Sequence, residues 1–307
     1  MRASAAVALF LSFVVTAAVA QPVEITGTAK LVSDVSAIEP GKPFRLGVLI
    51  DMLPGWHVYW KSAGETGLPT QVKFVLPEGF VASELRWPAP RKFEQPGEIV
   101  GYGYEGSVLL FAEVTPPKDL RPGAKVPISA EVRWLACDKV CVPGEASATL
   151  TLAAAEQSVA DNVKLFEEWA ARVPIEASSD ESPATSEVKG ELRADGEPAE
   201  FVVTLHWKAA PASAEWFPVD DQALYIENIK SQTDQKTTRI TFKARLLKGQ
   251  KLKSNIMQSV VAYDDEKGNR HGLVVPVRLM AEHTTGPSSK RVDPAGGAGP
   301  IMNSKKH

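Results

Sequence analysis

Residues 128–152 constrain the fold more tightly than any other stretch. They read Ile128-Ser-Ala-Glu-Val-Arg-Trp-Leu-Ala-Cys137, then Asp138-Lys139-Val140, then Cys141-Val-Pro-Gly-Glu-Ala-Ser-Ala-Thr-Leu-Thr-Leu152. With Asp138-Lys139-Val140 as a hairpin loop, Cys137 faces Cys141, and the same register sets Val132 against Ala146, Ala130 against Ala148 and Ile128 against Leu150. Those pairs make one apolar face. The other face pairs Arg133 with Glu145 and Ser129 with Thr149, a charge pair and a hydroxyl pair suited to solvent, and both cysteines belong to it. A non-hydrogen-bonded pair holds its Cα atoms about 4.5 Å apart, within the reach of a disulfide. Pro143 then faces Leu135 in a pair of the same kind, where its missing N–H removes no bond within the hairpin and points to a free strand edge.

The surrounding sequence has the same character. Short runs at Phe44 to Asp51, Trp56 to Trp60, Thr70 to Leu76, Val108 to Val114 and Lys125 to Cys137 are bounded by turn signals such as Pro40-Gly41, Pro54-Gly55, Pro77-Glu78-Gly79 and Pro122-Gly123. An all-β sandwich over residues 21–155 is expected. Val163, Phe166, Trp169, Ala170 and Val173 share a face at helical spacing, which predicts a short helix within 156–175, packed on one end of that sandwich. Residues 176–189 are rich in Ser, Glu, Pro and Ala without periodicity and read as a solvated linker. Alternation returns in Phe201, Val203, Leu205 and Trp207 and in Ile240, Phe242, Ala244 and Leu246, so a second, smaller β-sandwich is expected over 190–281. The Gly-, Ser-, Pro- and Lys-rich residues 282–307 read as a disordered tail.

The first twenty residues suggest the compartment. Arg2, the apolar run Ala3 to Ala17 and the small-residue site Ala18-Val19-Ala20 before Gln21 form the pattern of a secretory signal peptide, and so of an exported, periplasmic protein. No later run is long and apolar enough to suggest a membrane helix. A net charge of -3, with both signs spread along the chain, provides no basic stripe for nucleic acid. The sequence contains no nucleophile elbow, phosphate loop or zinc-ligand spacing.

An oxidising compartment favours a disulfide between the two cysteines. A structural staple is one reading. It is weakened because closing a loop of about five residues restricts the unfolded chain by only about 2 kcal/mol, less than a long-range bridge would. A Cu(I)-binding thiol pair is another, although no histidine or methionine cluster accompanies the cysteines and no metal or cofactor is assigned. The third is a redox-active pair. For that chemistry Lys139 and Arg133 are the nearest cations, each equally readable as a solvated charge.

Five segments, taken together, favour the third reading: Pro54-Gly-Trp-His-Val-Tyr-Trp60, Gly64-Glu-Thr-Gly-Leu-Pro-Thr70, Arg86-Trp-Pro-Ala-Pro90, Gly101-Tyr-Gly-Tyr-Glu-Gly106 and Trp134-Leu-Ala-Cys-Asp-Lys-Val-Cys-Val-Pro-Gly144. From Val23 to Leu152 the chain resembles the N-terminal domain of DsbD-type thiol:disulfide interchange proteins, especially the ScsB-like version, and residues 190–281 more loosely resemble the second β domain of the latter. The resemblance implies an immunoglobulin-like sandwich with Cys137 and Cys141 as the exchanging pair, relaying electrons between a membrane thiol reductase and periplasmic thioredoxin-like proteins. It also implies an aromatic cap shielding the disulfide, here Phe93, Tyr102 and Tyr104. Two departures stand out: three residues separate the cysteines, where the enterobacterial pair has five, and the family's membrane and thioredoxin-like domains have no counterpart in this sequence. A separately encoded reductase is therefore expected. The rival class is a non-catalytic interaction module with an inert disulfide. Trp56, Tyr59, Trp60 and Trp87 are expected in the core, and His57 as a half-buried strand histidine.

Overall fold

The computed structural model describes residues 26–280 apart from 96, 98 and 220. The expected signal peptide and C-terminal tail lie outside the described residues. The first domain contains β1 (Gly27–Ser33), β2 (Val35–Ile38), β3 (Phe44–Met52), β4 (His57–Gly64), β5 (Gln71–Val75), β6 (Val81–Ala82), β7 (Arg91–Gln95), β8 (Ile99–Glu105), β9 (Ser107–Thr115), β10 (Lys125–Cys137) and β11 (Cys141–Ala154). One sheet runs β1-β3-β9-β6. The other runs β2-β11-β10-β4-β8-β7, with β5 also on β10 and β12 (Val159–Ala160) added beyond β2. Leu46, Val48 and Ile50 of β3 and Val108 and Leu110 of β9 share a buried core with Ile128, Ala130 and Val132 of β10, as expected of a sandwich.

The β10–β11 register is the one read from the sequence, from Ile128 opposite Leu150 through Arg133 opposite Glu145 to Cys137 opposite Cys141. Among the described residues β11 has β2 on its other side only at Ala153 and Ala154, so the edge at Pro143 has no strand partner.

The helix is shorter than the 156–175 expected. It is α1 (Val163–Ala170), because Val159 and Ala160 pair with β2 instead and Pro174 follows the closing turn. Phe166 and Trp169 are its buried residues, and the Phe166 ring meets Phe111 edge-on at 5.8 Å.

The expected linker is a correction. Ile175–Glu176 forms β13, parallel to β21 (Arg270–Val274), and Ala184–Lys189 forms β14, antiparallel to β15 (Ala199–Trp207). β14 is an edge strand with mostly exposed polar side chains, so its composition imitates a linker while its backbone is paired. The other strands of this domain are β16 (Ser213–Pro218), β17 (Leu224–Asp234), β18 (Thr237–Leu246), β19 (Ile256–Met257), β20 (Ser259–Asp264) and β22 (Val277–Arg278). One sheet runs β14-β15-β18-β17 and a second β13-β21-β20-β16. Phe201, Val203, Leu205 and Trp207 face Ile240, Phe242 and Ala244 in its core, where Phe242 stacks on Trp216 at 4.2 Å.

The two domains share apolar packing. Phe217, Val260 and Ala262 of the second belong to the core of the first, and Ser62 Oγ donates to the Pro218 carbonyl at 3.0 Å. We expect Phe166→Ala to lower stability by about 3–5 kcal/mol in denaturant unfolding; a loss under about 1 kcal/mol would show that the helix does not depend on this anchor.

Candidate functional site

The site lies at the tip of the β10–β11 hairpin. Asp138-Lys139-Val140 turns the chain, with the Asp138 N–H donating to the Val140 carbonyl at 3.2 Å, and Cys137 and Cys141 are disulfide-bonded with Cα atoms 4.1 Å apart. The two halves of the bond differ. Cys141 is exposed, whereas Cys137 is only 1% exposed. The outer face of the hairpin is thus not open to solvent at both cysteines, as alternation alone suggested.

Cys137 is covered by the neighbouring strand. His57 pairs opposite Cys137 and Val58 opposite Ala136, so β4 directs His57 and Tyr59 to the disulfide face and Val58 and Trp60 to the core. The Tyr59 hydroxyl donates to Cys137 Sγ at 3.3 Å, and Ala63 and Leu135 complete a small apolar cluster. Tyr59 has no solvent exposure, and two hydrogen bonds from Thr70, from its N–H at 3.3 Å and its hydroxyl at 2.8 Å, fix the Tyr59 carbonyl. Gly67 lies on the Tyr59 ring with φ +99°, and a β-carbon there would fall 2.3 Å from the ring. The Gly64-Glu-Thr-Gly-Leu-Pro-Thr70 segment therefore serves as the clasp that holds Tyr59 over Cys137.

His57 extends the cover. Its ring stacks on Phe93 at 4.4 Å and 6°, and meets Tyr59 edge-on at 5.5 Å. Burial holds the His57 imidazole below the ordinary histidine range, against the opposing pull of Glu105 and Asp138.

Of the three aromatics expected as a cap, the structure brings only Phe93 to this face. Tyr104 pairs opposite Val58 and donates to the Pro88 carbonyl at 2.7 Å; Tyr102 meets Phe217 at 5.1 Å. Both belong to the main core, and burial pushes the Tyr104 phenol well above its ordinary value. Trp60 is buried there, with Trp56 and Trp87 packed against it. Tyr59, expected in the core, and His57 stand beside the disulfide instead. Strand alternation over Trp56 to Trp60 puts His57 and Tyr59 on one face and Trp56, Val58 and Trp60 on the other, a division that the expectation of Tyr59 in the core did not use. What the sequence did not show is that this face adjoins Cys137. Arg133 and Glu145 are exposed and 3.9 Å apart, and Lys139 is exposed.

Along the hairpin from the cysteines, a groove of about 590 Å³ is lined by Leu68, Pro69, Trp134, Leu135 and Pro143, with Gln71, Arg133 and Glu145 as its polar lining. Leu68 at its rim and Val140 in the hairpin loop are 64% and 60% exposed.

An immunoglobulin-like sandwich carrying a half-buried disulfide at a hairpin tip defines a class of thiol-bearing β domain. Residues 28–153 match the family model of the N-terminal region of the thiol:disulfide interchange protein DsbD, and this part of the chain is a DsbD-type N-terminal domain. The N-terminal periplasmic domain of ScsB from Proteus mirabilis superposes with a TM-score of 0.58 at 16% identity, covering 85% of this chain and 97% of that one, a likeness of fold across both domains. A Porphyromonas gingivalis W83 protein of unknown function (TM-score 0.21, 11% identity, 83% of this chain and 100% of that one) and the major pilin subunit BcpA of Bacillus cereus (0.26, 9%, 84% and 67%) are too distant to bear on fold or function. No curated protein matches the sequence. Among the described residues no helix is long and apolar enough to cross a membrane.

Two predictions follow from this geometry. Gly67→Ala should lower stability by about 1–3 kcal/mol and increase the thiol reactivity of Cys137 after reduction, since the clasp must shift; unchanged melting and reactivity would contradict the clasp. For His57 the folded pKa lies below the unfolded value of about 6.5, so its contribution to stability is full above that pH and is lost as pH falls through the folded value. Thermal melts at about pH 7.5 and 5 should show a larger loss in the native chain than in His57→Phe, which keeps the ring stack without the titration. Equal losses would rule this out.

Proposed function

We propose that the chain is a periplasmic thiol-disulfide exchange module that relays electrons through Cys137 and Cys141, from a membrane thiol reductase to thioredoxin-like proteins. The observation that carries this is the asymmetry of the bond: Cys141 is an exposed residue, and Cys137 is buried with a hydroxyl donor on its sulfur. In thiol-disulfide exchange the attacked sulfur must be reachable, and the leaving sulfur departs as a thiolate whose stability sets the rate.

On this reading a thiolate of the reductase attacks Cys141 Sγ and the Cys137–Cys141 bond breaks. Its electron pair leaves on Cys137 Sγ, where the Tyr59 hydroxyl at 3.3 Å is placed to stabilise the charge. The second thiol of the reductase then attacks its own sulfur in the mixed disulfide and releases the reduced pair. Delivery runs in reverse. The Cys141 thiolate attacks a partner disulfide, and Cys137 attacks Cys141 Sγ, re-forming the bond and freeing the reduced partner. Two electrons and two protons move in each direction. The exposed Val140 adjoins Cys141 in the chain, and Leu68 with the groove at Leu135 and Pro143 supplies further apolar surface along the same hairpin.

The test is the reduction potential of the pair in glutathione and thioredoxin-type buffers, together with trapping. A potential between about -120 and -270 mV is expected. Cys137→Ala, which leaves the exposed thiol without its resolving partner, should accumulate a mixed disulfide with an oxidised thioredoxin-like protein at least about tenfold more than Cys141→Ala does. A potential below about -300 mV would falsify the exchange reading and leave an inert staple in a non-catalytic interaction module.

A further inference from the structure

The three strands on the Cys137 side of the hairpin have a second face, and the second domain occupies it. On β8 Tyr102 meets Phe217 edge-on at 5.1 Å, and on β7 the Lys92 ammonium lies 5.7 Å from the centre of the same ring. On β4 Trp60 meets Phe217 at 6.3 Å, and Ser62 donates to Pro218. Strand alternation separates these residues from Phe93, His57 and Tyr59, which point the other way, toward the disulfide. Phe217 therefore supports from behind β4, whose front face covers Cys137 through Tyr59, and β7, whose Phe93 stacks on His57.

A polar anchor fixes the start of this support. Arg270 of β21, 6% exposed, donates through Nε and Nη2 to the Pro90 carbonyl at 3.1 and 2.8 Å, three residues before Phe93. Its charge is balanced by Asp264 at 3.1 Å and by Glu215, and Asp264 also pairs with Arg91 at 3.5 Å. A guanidinium held by two carboxylates presents its remaining donors in a fixed fork, so the second domain adds its own hold on Pro90, at the entry to β7, to the β7–β8 ladder and to the Tyr104–Pro88 and Ala89–Arg172 bonds. Nothing in the first domain duplicates these bonds to Pro90 among the described contacts.

We propose that the second domain is a latch that decides which sulfur is reachable: through Arg270 and Phe217 it holds the β7–β8 hairpin, and so Phe93 and His57, over Cys137, leaving Cys141 as the point of attack. Arg270 is a positioning residue here, since it touches neither sulfur. The proposal rests on the reading of the pair as an exchanging one, but its test does not require a partner.

The experiment measures alkylation of single thiols by iodoacetamide in the full chain, with Cys137 alone in a Cys141→Ala background and Cys141 alone in a Cys137→Ala background. Adding Arg270→Met should accelerate modification of Cys137 about tenfold and leave that of Cys141 within about twofold. The acceleration should vanish when Phe93→Ala is already present, because both changes open the same cover. Phe217→Leu, which keeps an apolar side chain, should act in the same direction and replaces Arg270→Met if that variant does not fold. Equal acceleration of both thiols would mean general loosening and would overturn the latch, as would an unchanged Cys137 rate. Failure of the exchange reading shows separately, in the reduction potential of the native pair.

Discussion

The pairing of β10 with β11 is the constraint on which the rest of the site depends. A strand pair slipped by one residue turns every side chain to the opposite face, which here would put Val132, Ala130 and Ile128 in solvent and Arg133 and Glu131 in the core. Burial of that apolar row therefore fixes the register, and the register places Cys137 opposite Cys141 with no further adjustment. The disulfide inherits its geometry from the packing of residues up to nine positions away on β10.

Much of this could be read from the sequence because local rules governed it. Turn residues bounded the strands, alternation assigned the faces of β10, β11, β15 and β18, and a hairpin loop set the cysteine register. Non-local neighbours were harder to read. That His57 and Tyr59 lie beside Cys137 depends on β4 pairing with the last two residues of β10, a contact between segments almost eighty residues apart. Tyr102 and Tyr104 were placed in the cap by resemblance, but the pleat turns them inward, where one meets Phe217 and the other the Pro88 carbonyl. The segment 176–189 shows the opposite failure. Its Ser- and Glu-rich composition describes the exposed side of an edge strand as well as it describes a linker, and only the partner strand β15 distinguishes the two.

The sequence also concealed how closely the two domains are joined. Phe217 alternates with nothing distinctive and Arg270 sits in an ordinary hairpin, yet the first joins the core of the neighbouring domain and the second spans the boundary to Pro90. A guanidinium held in place by two carboxylates of its own domain favours a unique docking geometry over a sliding apolar contact, since displacing the domains breaks its paired bonds to the Pro90 carbonyl.

The edge of β11, unpaired among the described residues beyond its contact with β2, has a consequence for encounters between molecules. An exposed strand edge next to a disulfide invites another chain to add as a further strand, which could bring two disulfides together and let them scramble into linked dimers. Pro143, two residues from Cys141, has no N–H to offer such a strand, so the ladder is interrupted at the rung that follows the one at Cys141 itself. Contacts there must be made by side chains such as Leu68 and Leu135 rather than by backbone zippering, which suits brief collisions that exchange a bond and separate.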